Sequence, residues 1–438
     1  MTFPLSRRAL LALGIATMAT GPVWAQMADE IIEPVEISFY NLNLATAGLG
    51  HDATVQLIEE FMAANPMIKV EGVGVNVNDM GTRVQTDIAA RRPPDVAQVI
   101  FSDLAYAAQQ LGAVPIDQAV PQADWDAHVE GMVPSGLDLG KVGDKTYALA
   151  YTFSTPMLFY NADLFREAGL DPDQPPKTWE EVKDYALTIQ DKTEANGFAG
   201  GIIGVGAVGP YDWLLQSVIL SNGGSVINDA GTAVTFDRPE TIEAVAMLRG
   251  LKDAGVYGNI SRGEALESMA AGKLAMYIDS SGLQNHLLSQ AEGNYELRAA
   301  QMPGFGERPA SPTNSGSGLV MFSQDPVKQR AAWELMKFLT SERGYTIITS
   351  KIGYLPLRTA IVDDPEYLKD WVDANPLVRP NLAQLERMEP WRSYPGTSYR
   401  QVAATLMEAA EQAVFGDGDV AEIMQGAQAR AQAMMPGS

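Results

Sequence analysis

The 438-residue chain contains no cysteine. Disulfides, zinc–thiolate sites and cysteine nucleophiles are therefore excluded, and so is a lipid anchor attached to a cysteine at a signal-cleavage site. Histidine is scarce: His51, His128 and His286 are the three present, and none has HxxH or HExxH spacing. No metal site and no cofactor is expected from them. Serines occur without a Gly-x-Ser-x-Gly frame, and the glycine-rich run Asn314–Gly318 lacks the lysine of a phosphate loop and reads as a turn before a strand at Leu319–Phe322. No catalytic residue can be nominated. Carboxylate pairs are plentiful, but nothing marks one pair out for glycoside hydrolysis.

Basic residues are also few, 31 Lys and Arg against 54 Asp and Glu, for a formal charge of −23. That balance argues against nucleic acid and anionic membranes as partners. It does not forbid an anionic ligand, because a site can be locally positive. The acids are dispersed (Glu59-Glu60, Asp363-Asp364, Glu408, Glu411), as on a solvated surface. Beyond the first residues, no run is apolar for the roughly 20 residues that a transmembrane helix needs.

What the chain does have at its start is an export pattern. Ser6-Arg7-Arg8 precedes the uncharged stretch Ala9–Thr20, and Val23-Trp24-Ala25 fits a small-x-Ala cleavage site. We expect residues 1–25 to be a signal peptide cleaved after Ala25. The Ser-Arg-Arg-x-Leu-Leu order resembles a twin-arginine signal, although ordinary secretory signals also carry paired arginines. Loss of Arg7 and Arg8, with no acid, moves the formal charge to −25. The expected location is the periplasm, with no membrane anchor.

Strand and helix patterns alternate along the rest of the chain, which predicts an α/β fold with mainly parallel sheets. Val35–Tyr40, Ile68–Val75 and Asp95–Ile100 read as strands, and a helix is expected from about Ala53 to Ala64. The region from Ala148 to Leu187 is the most specific. An apolar strand, Met157–Tyr160, breaks at Asn161-Ala162; a short helix stops at Gly169; Pro175-Pro176 blocks further helix; Thr178 then caps a helix with Glu180 and Glu181 in its first turn.

This run resembles the S-T-P-x-x-x-Y-N-x-D-x-F-x-x-A-G-L…P-P-x-T-W-x-E segment of the extracellular solute-binding proteins (family 1) of carbohydrate ABC importers. Further segments agree in order: Phe61–Val70, Asn222-Gly223-Gly224, Met269–Tyr277, Val327–Leu339 and Gly353–Arg358. The resemblance implies a two-lobed periplasmic-binding-protein fold of type II, with the ligand cleft between lobes joined by hinge crossings. The crossings are expected near Tyr151–Phe153, Ala299–Pro303 and Ile352–Pro356. Lobe 1 would comprise 26–151 with 300–351 returning to it, and lobe 2 would comprise 152–299 with 352–438 returning mainly to it. The implied function is a monomeric binding subunit that delivers a carbohydrate-type ligand to inner-membrane permease subunits without transforming it. A secreted glycosidase or phosphatase is the alternative.

Sugar sites combine aromatic platforms with a dense hydrogen-bonding shell. Candidates lie where strands end or lobes meet. Tyr40 and Asn41 end the first strand, with Tyr40 readable equally as a core tyrosine. Phe101 and Asp103 follow the Asp95–Ile100 strand, where Asp103 could also cap a helix. Ser154 lies at the first crossing, and Trp213 opens a helix as either platform or core. Within the family the chain is most similar to the glycerol-3-phosphate-binding branch, through A-G-L-D-P-x-x-P-P-K-T-W, the Ala275–Gly282 run, Gly-Tyr-Leu-Pro and Pro395–Arg400. That similarity implies phosphate contacts from Ser281 or Ser280, Gly316, Tyr354 and Arg400. The branch's acid in Q-V-Y-E is absent, since Gln98-Val99-Ile100 is followed by Phe101; Asp103 is the acid expected to substitute for it.

Overall fold

The computed structural model describes residues 27–207 and 211–436. The expected signal peptide lies outside the described residues.

Among the described residues there are eleven strands, nine in two main sheets and two in a separate hairpin. They are β1 (Val35–Asn41), β2 (Ile68–Gly74), β3 (Val96–Ile100), a hairpin of β4 (Lys141–Val142) and β5 (Lys145–Thr146), β6 (Ala148–Ser154), β7 (Pro156–Asn161), β8 (Asn196–Gly200), β9 (Leu274–Ser280), β10 (Leu297–Gln301) and β11 (Ser315–Met321). The first sheet has the order β2-β1-β3-β11-β6 and the second β10-β7-β9-β8. β1 is parallel to β2 and β3, whereas β11 is antiparallel to both β3 and β6. Helices cover both faces of each sheet, so β6 and β7 are buried along their whole lengths and read as continuous apolar runs.

The local signals work as the chemistry requires. The Asn161 side chain accepts hydrogen bonds from the backbone N–H of Asp163 and Leu164 and starts helix Ala162–Glu167. Gly169 takes φ +80° beyond the end of that helix. Thr178 and Glu181 form a reciprocal capping box at helix Trp179–Lys192, and Trp179 is buried in the second core. Two expectations fail. The sheets are mixed and not mainly parallel: β11 runs antiparallel to β3 and β6, and β7 runs antiparallel to β9 and β10, because these partners lie far apart in the chain and are not joined by a single helical crossover. The glycine-rich run Asn314–Gly318, expected as a turn, is mostly the first half of β11. A bulge between Ser317 and Gly318 lets small residues pair with β6 there.

The first core packs Phe39, Leu57, Phe61, Tyr151 and Trp333 around the first sheet, and the second packs Phe165, Trp179, Leu214, Phe236 and Leu406 around the second. The chain passes between sheets at Thr155, the residue separating β6 from β7. It returns after β10 to enter β11. Leu355, Leu357, Leu368, Val378 and Met388 still belong to the first core, so the Gly353–Leu355 segment leads on within the first lobe. Tyr394, Tyr399 and Val402 belong to the second.

Helix Val378–Gln384 sits over the first crossing. Gln384 Nε2 donates to Thr155 Oγ1 (3.0 Å) and to the Pro156 carbonyl (2.7 Å), and its Oε1 accepts from the Met302 N–H (3.1 Å). Thr155 Oγ1 also bonds Asn381. A buried polar cluster thus ties the crossing strand to β10's end. Among the described residues, no helix is long and apolar enough to cross a membrane, and no cluster of three or more His, Asp or Glu could hold a metal ion.

Candidate functional site

A cavity of about 330 Å³ lies between the two sheets. Its first wall is built at the carboxyl ends of the parallel strands, where open α/β sheets gather ligands. Asn43 follows β1, Val77 follows β2, Ile100 ends β3 and Phe101 and Ser102 follow it; Thr152, Ser315, Gly316 and Ser317 come from β6 and β11. The opposite wall carries Tyr211, Trp213, Arg262, Asp279, Ser280 and Trp391, while Tyr354, in the Gly353–Leu355 segment packed on the first core, lines the cavity from the first lobe.

The floor on the first side is a fixed hydrogen-bond network. Buried Gln98 accepts from the Leu42 N–H through Oε1 (3.0 Å) and donates through Nε2 to Ser317 Oγ (2.7 Å). Thr152 and Ser317 share a further bond of 2.6 Å. Gly316 adopts φ +121°, and a Cβ there would fall 2.0 Å from the Thr152 carbonyl oxygen, so only glycine fits.

The second wall owes its shape to Asp212, which is fully buried. Its carboxylate accepts from Trp391 Nε1 (2.9 Å), Tyr394 OH (2.7 Å) and Gln216 Nε2 (3.0 Å). Burial raises its pKa above the ordinary aspartate value, opposed by those three donors. The Trp391 backbone N–H donates to Asn314 Oδ1 (2.8 Å), so the residue is held through both its backbone and its ring nitrogen. Burial also raises the Tyr354 phenol. Tyr354 packs close to Gly282, where a Cβ would meet its ring at 3.0 Å.

Arg262 is the first residue of helix Arg262–Ala270. Its Nε donates to Asp279 Oδ2 at 2.8 Å, with Asp279 buried and about a third of the Arg262 side chain exposed. Tyr277 OH reaches the same oxygen (2.6 Å), and the Ser280 N–H donates to Oδ1 (2.6 Å).

Of the residues expected from sequence, Phe101, Trp213, Ser280, Gly316 and Tyr354 are brought together around this cavity. Trp213 serves as both wall and core. The others stand elsewhere. Tyr40 packs with Val75, Met80 and Val84, and its hydroxyl donates to Asp87 (2.7 Å). Asn41 is buried and its Oδ1 accepts from the N–H groups of Asn43 and Leu44, turning the chain after β1. Ser154 accepts a bond from Ser280 Oγ (2.8 Å). Ser281 is buried, its N–H donating to the Thr155 carbonyl.

Asp103 and Arg400 meet each other instead of lining the cavity. Asp103, on helix Phe101–Gln110 of the first lobe, receives Arg400 Nη2 and Tyr399 OH from helix Tyr399–Phe415 of the second, each at 2.5 Å. Arg400 Nε closes the triangle on Tyr399 OH (3.0 Å). This clasp joins the lobes.

Sequence reasoning missed Gln98, Arg262, Asp279 and Trp391. Two signals were available. A glutamine inside the apolar strand Val96–Ile100 is a buried polar group that needs partners. An arginine directly after the Ser261 cap opposes the helix dipole, a local conflict that often marks a functional position. Trp391 had no such signal, because Asp212, remote in sequence, places it.

Known proteins share this architecture. The cyclic α-maltosyl-1,6-maltose binding protein of Arthrobacter globiformis superposes with a TM-score of 0.78 over 91% of this chain and 98% of its own, at 21% identity. UgpB of Mycobacterium tuberculosis, in complex with glycerophosphocholine, gives 0.77 over 91% and 98%, at 20% identity. By sequence, the sn-glycerol-3-phosphate-binding periplasmic protein UgpB of Escherichia coli O6:K15:H31 is 28% identical over 370 residues, covering 81% of this chain and 79% of that protein. The profile of the bacterial extracellular solute-binding proteins matches residues 56–377, and the chain belongs to that family.

Proposed function

We propose that this protein is the periplasmic substrate-binding subunit of an ABC importer, and that it holds a carbohydrate-type ligand in the cavity between its lobes. The observation that carries this reading is the lining itself. Five aromatic side chains (Phe101, Tyr211, Trp213, Tyr354 and Trp391) share one cavity with hydroxyl and amide groups of Asn43, Gln98, Ser102, Thr152, Ser280, Asn314 and Ser317. Rings pack on the apolar C–H face of a sugar while the polar groups bind its hydroxyls. Both lobes contribute, so binding favours their approach, as in hinge closure of periplasmic binding proteins.

Phe101, Trp213, Ser280, Gly316 and Tyr354 are the ligand contacts we retain, with Gln98, Arg262 and Trp391 added. Asp103 and Arg400 are assigned to lobe closure. The ligand is a sugar, a glycoside or a glycerol-3-phosphate-like polyol, carried unchanged to the permease subunits. The protein acts as a monomer, exported by the signal at residues 1–25.

A thermal-shift screen over sugars, polyols and glycerol phosphodiesters tests the reading. A ligand at 100-fold its Kd should stabilise the fold by about 2.7 kcal/mol. The same compounds should survive incubation with the protein. Steady product formation beyond one equivalent would make it a hydrolase instead.

A further inference from the structure

The geometry points to Arg262 as the residue that selects the ligand, and to an uncharged, polyhydroxylated compound as the class it selects; this rests on the cavity being the ligand site. Arg262 and Asp279 are the two charged side chains among the described residues lining the cavity. They form an ion pair through Nε, which leaves the guanidinium fork of Arg262 as the cavity's cationic donor. A planar fork matches two oxygens held side by side, and adjacent sugar hydroxyls present such a pair as acceptors.

Asp279 sets the charge. It is 1% exposed and fixed by three donors, namely Arg262 Nε, Tyr277 OH and the Ser280 N–H. The pair therefore adds no net charge to the cavity. A phosphate entering it would be stripped of water without gaining an unpaired cation, which is costly. Nor does the whole molecule attract one, at a formal charge of −23. Arg400, the other arginine near the cleft, is neutralised by Asp103 and does not line the cavity. The anion-reading roles implied for Ser280, Gly316 and Tyr354 then become hydroxyl-reading roles, with the aromatic rings alongside.

Matched probe pairs test this by isothermal titration calorimetry: glucose with glucose 6-phosphate, glycerol with glycerol 3-phosphate, and maltose with maltose 1-phosphate. The neutral member of the pair that binds best should bind at least tenfold more tightly than its phosphate. Asp279→Asn, which leaves Arg262 unbalanced, should shift that ratio at least tenfold toward the phosphate. Arg262→Lys keeps the charge and loses the fork; it should weaken the neutral ligand at least tenfold while the melting temperature stays near wild type. This second variant keeps the test open should Asp279→Asn fail to fold. Tighter binding of the phosphate by wild type, an unmoved ratio in Asp279→Asn, or unchanged affinity in Arg262→Lys would each overturn the inference and leave the importer reading intact. Absence of binding by every probe and every screened sugar would overturn the carbohydrate reading itself.

Discussion

Two arginine–aspartate pairs stand close to the cleft, and they differ in what their partners are attached to. Arg262 and Asp279 both belong to the second lobe and meet inside the cavity wall. Arg400 and Asp103 come from different lobes and meet away from the lining. Their side-chain exposures are similar, 34% and 1% for the first pair against 42% and 6% for the second. Burial therefore does not separate them; connectivity does. A pair within one rigid body keeps its geometry whether the lobes are apart or together, so it can present a fixed donor to a ligand. A pair between two bodies exists only when they meet, so its free energy is spent on closure.

The widest separation between the pairs should appear on truncation. Arg262→Ala removes a ligand-facing charged donor and leaves Asp279 buried without it. Such losses cost roughly 2–5 kcal/mol, so affinity should fall by about 30-fold or more. Arg400→Gln touches no cavity-lining group and can weaken binding only through the balance between open and closed lobes, so affinity should fall less than in Arg262→Ala. Calorimetric titration of both variants with the best ligand from the screen checks the ordering; a reversed order would return the ligand-reading role to Arg400.

A smaller effect sharpens the second half of the comparison. Asp103→Asn removes the negative member of the clasp without touching the cavity lining. Small-angle scattering of the ligand-free variant should give a larger radius of gyration than wild type, and saturating ligand should bring both to the same value. Equal radii without ligand would show that the pair does not hold the lobes together.

How much of this could be read from sequence depends on how local each cause is. Asn161, Gly169 and the Thr178–Glu181 capping box act within a few residues, and the elements they bound lie where the pattern put them. The family's order of motifs carried the two-lobed fold. Phe101, Trp213 and Tyr354 reach the cavity because they sit at element ends facing it. The Asn314–Gly318 run misled because a glycine-rich strand needs its neighbour, β6, to exist. Arg400 misled for a related reason. Its frame near Pro395 was legible, but its partner Asp103 lies 297 residues away. No local rule says which carboxylate a guanidinium will meet, or that Asp212 will draw Trp391 into the wall.

A separate effect concerns pH, and it limits where the two pairs can be compared. His128 is buried against Trp333, its Nε2 2.8 Å from Thr340 Oγ1, and burial depresses its pKa from 6.5 to about 3, helped by the charges of Arg358 and Lys337. A depressed folded pKa gives stability that is complete above 6.5 and lost as pH falls toward 3. Urea unfolding between pH 6 and 4.5 should show stability falling with a slope of about 1.4 kcal/mol per pH unit from this group. His128→Gln should flatten that slope; an unchanged slope would assign it elsewhere. Binding by either pair is best compared above pH 6.5.

The central claim is that the ligand enters the cavity between the lobes, against Trp213 and Trp391. Tryptophan fluorescence reads it directly, because these two of the chain's seven tryptophans line the cavity. Titration of wild type with the best ligand should change the emission and saturate at one equivalent. In a Trp213→Phe, Trp391→Phe double variant that still binds by calorimetry, most of that change should disappear. The full change persisting in the double variant would put the ligand somewhere else and contradict the account.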